Sequence, residues 1–234
     1  MWLTNLLIIL TISIFLDIGS SVAAPMSILI DPGHSPASPG ATACSGEREY
    51  IFNNKLAIVV VATLKRHGLD VDLSKQYDED LPLERRVILS SGKDLLLSIH
   101  HDSVQPQFLL RQPGKHGNCS QKAQGFSIFV SRKNPYYKRS LHYASELGTA
   151  LLKRGLLPSL HHSELIAGES RQLLSPDKGI YLHDELSVLK NAKSPAILLE
   201  AAVIVNPEDE VLSVSDKYRM SIAEATYDML NTKR

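Results

Sequence analysis

Short continuous apolar runs alternate along this chain with stretches in which apolar residues recur at helical spacing. Ser27-Ile28-Leu29-Ile30 is an apolar run stopped by Asp31-Pro32-Gly33, which predicts a buried strand ending in a turn. Ile51, Leu56, Ile58, Val59, Ala62 and Leu64 fit a helix from Tyr50 to Arg66, which Gly68 would terminate. Leu69 to Leu73 alternates like a half-buried strand, Leu83 to Ser91 reads as a short helix, and Asp94 to Ile99 reads as a second buried strand. Val104 to Gln124 is polar and carries Pro106, Pro113, Gly114 and Gly117, so a long loop is expected there; loops of that size tend to be functional. A third strand over Gly125 to Val130 and a helix over Tyr136 to Arg154 follow. Leu156 to Gly179 reads as irregular. A helical patch at Leu186 to Lys190, a buried strand at Pro195 to Leu199 and a closing amphipathic helix from Asp216 to Asn231 complete the pattern.

Apolar runs alternating with helices predict an α/β fold, a single domain built on a mainly parallel sheet with helices on both faces. Composition agrees: 234 residues with 44% hydrophobic and 21% charged side chains are globular in character. Lys plus Arg and Asp plus Glu are 25 each, a balance that argues against a nucleic-acid partner held by counterion release. Leu3 to Leu16 is apolar and is followed by small residues up to Ala24, the outline of a secretory signal peptide over 1–24, with the functional domain over 25–234. The run falls short of the roughly 20 residues that span a bilayer, so no stable membrane span is expected after processing. An uncleaved anchor or a buried N-terminal helix are the alternatives.

Ligands in such sheets bind just beyond the C-terminal ends of the strands. His34 follows the first strand, His100 follows Leu95 to Ile99, and Glu200 ends Ile197-Leu198-Leu199. Glu49 lies at the start of the first long helix. Two imidazoles and a carboxylate suit a catalytic zinc ion with a fourth position for water, and Glu200 would then serve as general base. From the residues alone, satisfied strand-end histidines remain an equal alternative. Cys44 and Cys119 lie in loops that leave the same sheet edge, so a disulfide across the site mouth is geometrically open to an exported protein, as are two free thiols.

Ile28-Leu29-Ile30-Asp31-Pro32-Gly33-His34 resembles the opening motif of the zinc-dependent N-acetylmuramoyl-L-alanine amidases that trim bacterial peptidoglycan. Glu49-Tyr50-Ile51-Phe52-Asn53 resembles that family's second motif, Leu97-Ser98-Ile99-His100 its third, and Pro195 to Glu200 with Asn206-Pro207-Glu208-Asp209-Glu210 its last. The motifs keep the family's order across residues 27–231. The resemblance implies a sheet of about six strands and one Zn2+ per chain on His34, Glu49 and His100. It also implies Glu200 as the catalytic residue, peptidoglycan or a muropeptide as substrate, and a periplasmic or extracellular setting. A non-catalytic peptidoglycan-binding domain and a metallopeptidase acting on stem peptides are the alternatives.

The chain departs from the family pattern where His101-Asp102 replaces the Ala-Asn that many members carry after the third-motif histidine. Ala201-Ala202-Val203 likewise replaces a glycine-containing stretch. The Ser-Ile-His frame favours His100 over His101, and the Asn53 spacing favours Glu49 over Glu47. Asp31 either orients His34 or caps a turn. His161-His162-Ser163-Glu164 and Glu169-Ser170-Arg171 read as a solvated loop, with a substrate-groove rim as the alternative and a second metal at His161 and His162 as a remoter one. Two readings of the Val104–Gln124 loop stay open, a gate over the site and a segment held by an activator protein.

Overall fold

The computed structural model describes residues 26–232, so the expected signal peptide lies outside the described residues. Seven strands form the central sheet: β1 (Ser27–Pro32), β2 (Asp70–Leu73), β3 (Leu95–Asp102), β6 (Ser127–Val130), β7 (Gln172–Ser175), β8 (Ile180–Leu182) and β9 (Ala196–Val203). Their order is β2-β1-β3-β9-β6-β8-β7, and β4 (Leu110–Arg111) and β5 (Asn118–Cys119) make a separate small hairpin. The helices are α1 (Glu49–Arg66), α2 (Leu83–Leu89), α3 (Tyr137–Lys153), α4 (Ser187–Asn191), α5 (Pro207–Ser213) and α6 (Asp216–Asn231).

Side-chain alternation divides the core into two layers. Ile28, Ile30, Leu95, Leu97, Ile99, Ile197 and Leu199 point to one face and pack on Leu56, Val60 and Leu64 of α1, Leu147 and Leu151 of α3, and Ile222 and Met229 of α6. Leu29, Leu96, Ala196 and Leu198 point to the other face, against Leu189 of α4, with α2 beside α4. The expected arrangement of helices on both faces is therefore present, around seven strands rather than about six.

Strands β2, β1, β3 and β9 run parallel, whereas β6 pairs antiparallel with β9 and β7 antiparallel with β8. The reversal at β6 has a topological cause. A parallel neighbour requires a crossover that carries the chain back along the sheet, but residues 103–126 hold only a 3-10 turn and the β4–β5 hairpin before β6 begins. Residues 156–179, which the sequence reads as irregular, contain β7 and the turn into β8, with Gly179 at φ +57°. The run Gln172-Leu173-Leu174-Ser175 has no β-branched residue and no buried position, so neither propensity nor alternation marks it as a strand.

The Val104–Gln124 segment is not a free loop. Cys44 and Cys119 are disulfide-bonded and both are fully buried. Gly117 N donates to Cys44 O at 3.0 Å and Ser120 N to Val205 O at 2.8 Å. The bond thus ties the loop after β1 to the hairpin behind the turn after β9 and does not line an open mouth. α5 holds that turn: Asn206 caps it by accepting from Glu208 N and Asp209 N, and Asp209 Oδ2 accepts from Val203 N at 2.9 Å and Gly125 N at 2.7 Å.

Candidate active site

After β1 the chain crosses to β2 on one side, and after α2 it returns to β3 on the other. The loop ends of β1 and β3 therefore diverge into a crevice, the kind of switch point where open α/β sheets bind ligands. His34 lies just past β1 and His100 near the end of β3. Glu49 is the first residue of α1 and reaches the same crevice.

The three side chains converge. His34 Nε2 is 3.2 Å from Glu49 Oε2, and His100 Nδ1 is 3.1 Å from Glu49 Oε1. One ligand atom from each lies within 4.8 Å of the other two. Donors at 2.0–2.1 Å around a tetrahedral ion sit roughly 3.3 Å apart, so two imidazole nitrogens and a carboxylate at these separations fit zinc. Outer contacts fix each group. His34 Nδ1 donates to Ser38 O at 3.1 Å, leaving Nε2 to face inward. Glu49 Oε2 accepts from Ala41 N at 2.9 Å, and Glu49 Oε1 from His101 N at 3.2 Å and Asn53 Nδ2 at 3.1 Å. Although burial opposes its charge, the His100 and His34 rings hold the Glu49 carboxyl well below the usual range.

Two glycines make this approach sterically feasible. A Cβ on Gly33 would lie 2.1 Å from the His100 ring, and one on Gly40, at φ +73°, 2.3 Å from Glu49 Oε2 and 2.7 Å from His34 Cδ2. His34 itself adopts φ 61°, a conformation that L-residues other than glycine seldom hold. Lys75 Nζ and Arg86 Nη2 brace it by donating to its carbonyl at 2.6 and 3.3 Å.

Glu200 is the β9 register partner of His100. Alternation places both on the Leu96/Leu198 face, about one strand spacing apart. Its Oε2 is buried without a hydrogen-bond partner. Burial, together with the Asp102 and Glu49 charges, pushes its carboxyl well above the usual range. A buried acid with an orphaned oxygen and two acidic neighbours is a place that favours positive charge, which further fits the donor set to a cation.

The structure also positions four further sequence candidates. His101 points to the α1 side, where its Nδ1 donates to Asn53 Oδ1 at 2.8 Å and burial lowers the ring to about 4. Glu47 is half-buried and pairs with Lys55, away from the crevice side chains. Asp31 neither touches the His34 ring nor merely caps a turn: its buried carboxylate accepts from Ser74 Oγ at 2.5 Å, Arg86 Nη1 at 2.9 Å and Ser98 Oγ at 3.1 Å. It acts on His34 only through Arg86. Lastly, His161 and His162 are not in a solvated loop. His161 is 6% exposed, and His162 Nε2 donates to Asp102 Oδ2 and Nδ1 to Glu169 Oε2, both at 2.8 Å. Although burial opposes protonation, Asp102 and Glu169 raise the His162 ring to about 9. Nothing in the local sequence around Arg86 or Asp102 marks these contacts, because both are made across elements distant along the chain.

Comparison with known proteins identifies the family. The AmiA N-acetylmuramoyl-L-alanine amidase of Salmonella typhimurium is 28% identical over 223 residues, covering 85% of this chain and 72% of its own length. The probable cell wall amidase LytH of Staphylococcus aureus is 28% identical over 208 residues, covering 87% of this chain and 57% of its own. The crystal structure of the amidase Ami1 from Mycobacterium smegmatis shares the fold, with TM-score 0.68 at 21% identity over 88% of this chain and 94% of that one. The family model described as N-acetylmuramoyl-L-alanine amidase matches residues 28–232, a span that holds His34, Glu49, His100 and Glu200. By fold, motif order and that match, the chain belongs to the N-acetylmuramoyl-L-alanine amidase family.

Proposed function

We propose that this chain hydrolyses the amide between the lactyl group of N-acetylmuramic acid and L-alanine in peptidoglycan, with one Zn2+ on His34, Glu49 and His100 and with Glu200 as general base. The observation that carries this reading is the convergence of three donor atoms from the turn after β1, the start of α1 and the end of β3, beside the buried Glu200 carboxyl. When bound, the ion would polarise the scissile carbonyl and acidify the attacking water. Glu200 takes the proton of that water and delivers it to the leaving amine nitrogen of L-alanine. Asn53 and the His101 amide hold Glu49 in place, and the His34–Ser38 bond fixes the His34 tautomer. An exported, periplasmic or extracellular setting accords with the substrate's location and with the Cys44–Cys119 disulfide. Among the described residues no helix is long and apolar enough to cross a membrane.

The test is mass spectrometry of fragments released from purified sacculi. Intact stem peptides with a free L-alanine amine are expected, lost on chelation and restored by Zn2+. Peptides cut within the stem would establish a metallopeptidase instead, and chelator-insensitive release would remove the metal from the reaction. The glycine cradle gives a second expectation. Gly40→Ala must drive a methyl group into Glu49 and His34 while straining the backbone, so zinc affinity should fall about 10–100-fold. Competition with a chromophoric chelator measures this, and an unchanged dissociation constant would show that the ligands are not held as described.

A further inference from the structure

Next to Glu200 lies a second cluster that the hydrolytic reading does not use. Asp102, His161 and His162 each offer one ligand atom within 4.8 Å of the others. The two rings sit on a 3-10 turn with centroids 3.8 Å apart, so consecutive histidines here face a common point. Each is already oriented through Nδ1: His161 by Ser159 Oγ at 2.9 Å, His162 by Glu169 Oε2 at 2.8 Å, with Glu169 in turn accepting from Gln105 Nε2 at 2.9 Å. That leaves both Nε2 atoms directed at Asp102 Oδ2, at 3.5 Å and 2.8 Å. Histidine ligands held by a second hydrogen bond on the opposite ring nitrogen are the usual outer arrangement of a metal site.

An ion pair between His162 and the two carboxylates would explain part of this cluster. It leaves His161 Nε2 unexplained, a buried nitrogen with no hydrogen-bond partner on a residue 6% exposed. Asp102 and Glu169 also flank the single His162 ring with two carboxyl groups, each at 2.8 Å. A cavity of about 250 Å³ opens on Asp102, His162, Glu169 and Glu200 and gives an ion a way in.

We propose that Asp102, His161 and His162 form a second divalent-metal site beside Glu200, taking Zn2+ through two imidazole nitrogens and one carboxylate oxygen. Such a donor set suits zinc and neighbouring transition ions over Mg2+ or Ca2+, which prefer oxygen. The site draws on none of the ligands of the His34–Glu49–His100 centre and stands independently of it.

The experiment is calorimetric titration of the metal-free full chain with Zn2+, with bound metal counted by elemental analysis. Wild type is expected to bind two equivalents. Asp102→Asn and His162→Gln should each lose one, and His34→Ala should lose the other. Both replacements at the second site are close in size to the native side chains, and melting curves of each variant confirm folding. Because the wild-type stoichiometry needs no variant, a total of one equivalent, abolished by His34→Ala and untouched by Asp102→Asn, would overturn the proposal while leaving the first centre intact. Two equivalents that both survive Asp102→Asn and His162→Gln would overturn it as well. A single equivalent lost only in Asp102→Asn and His162→Gln would support the second site and remove the first.

Discussion

Glu200→Gln is expected to fold, to retain its zinc and to lose about 10²–10⁴-fold in kcat on peptidoglycan. The substitution preserves shape and removes the one function that matters, acceptance of a proton. Glu200 is outside the His34–Glu49–His100 set, so metal content should not change. Stability should change little, because the lost oxygen, Oε2, makes no hydrogen bond. The loss should fall on kcat with KM nearly constant, since the carboxylate acts on the proton in flight and not on the bound sugar or peptide. Turnover within a few-fold of wild type, measured with metal content in parallel, would exclude Glu200 as the base.

Removal of Arg86 should be the most damaging change to stability outside the core. Its guanidinium is 5% exposed against an Asp31 carboxylate that is 1% exposed, at 2.9 Å. The same side chain donates to the carbonyls of Leu81, Pro32 and His34. Arg86→Ala strands a buried carboxylate, which typically costs about 3–5 kcal/mol. For a domain of this length that is a fall in Tm of roughly 6–20 °C. Replacing both partners, Asp31→Leu with Arg86→Met, should recover much of the loss, because the penalty comes from the unpaired charge and not from the absent pair. Thermal melts of the three proteins decide the matter. A single variant that melts within about 2 °C of wild type would show that water or another group satisfies Asp31. Metal affinity should follow stability in Arg86→Ala, since the strained His34 backbone loses one of its two carbonyl braces, whereas a merely structural pair elsewhere would leave affinity unchanged.

How much of this was legible beforehand can be judged from particular residues. The Ser27–Ile30 and Pro195–Leu199 runs are continuous and apolar because both faces of those strands are covered, and that pattern survives in any reading of the chain. α6 was readable to its ends, since Asp216 to Asn231 keeps helical spacing throughout. The short strands β7 and β8 were not, although the short edge strand β2 was. β7 and β8 owe their pairing to each other and to β6, not to any propensity of Gln172–Ser175.

The candidate site divides in the same way. His34, Glu49, His100 and Glu200 could be picked out because strand ends and helix starts are visible as local changes of period, and chemistry collects at such ends. The choice of His100 over His101 rested on the Ser-Ile-His frame of the family resemblance, and strand alternation then sends His101 to the opposite face. Arg86 under Asp31, Asp102 between two histidines and the disulfide behind the crevice are of another kind. Each joins residues separated by 55 or more positions, and their partnership depends on sheet order, on the register shift between His100 and Asp102, and on where β6 turns back. Periodicity along the chain determined the long helices and the buried strands, and which polar residues stand at their ends. Only the folded arrangement decided which of those residues meet, because contact between distant segments is set by packing and strand order and leaves no trace in local spacing.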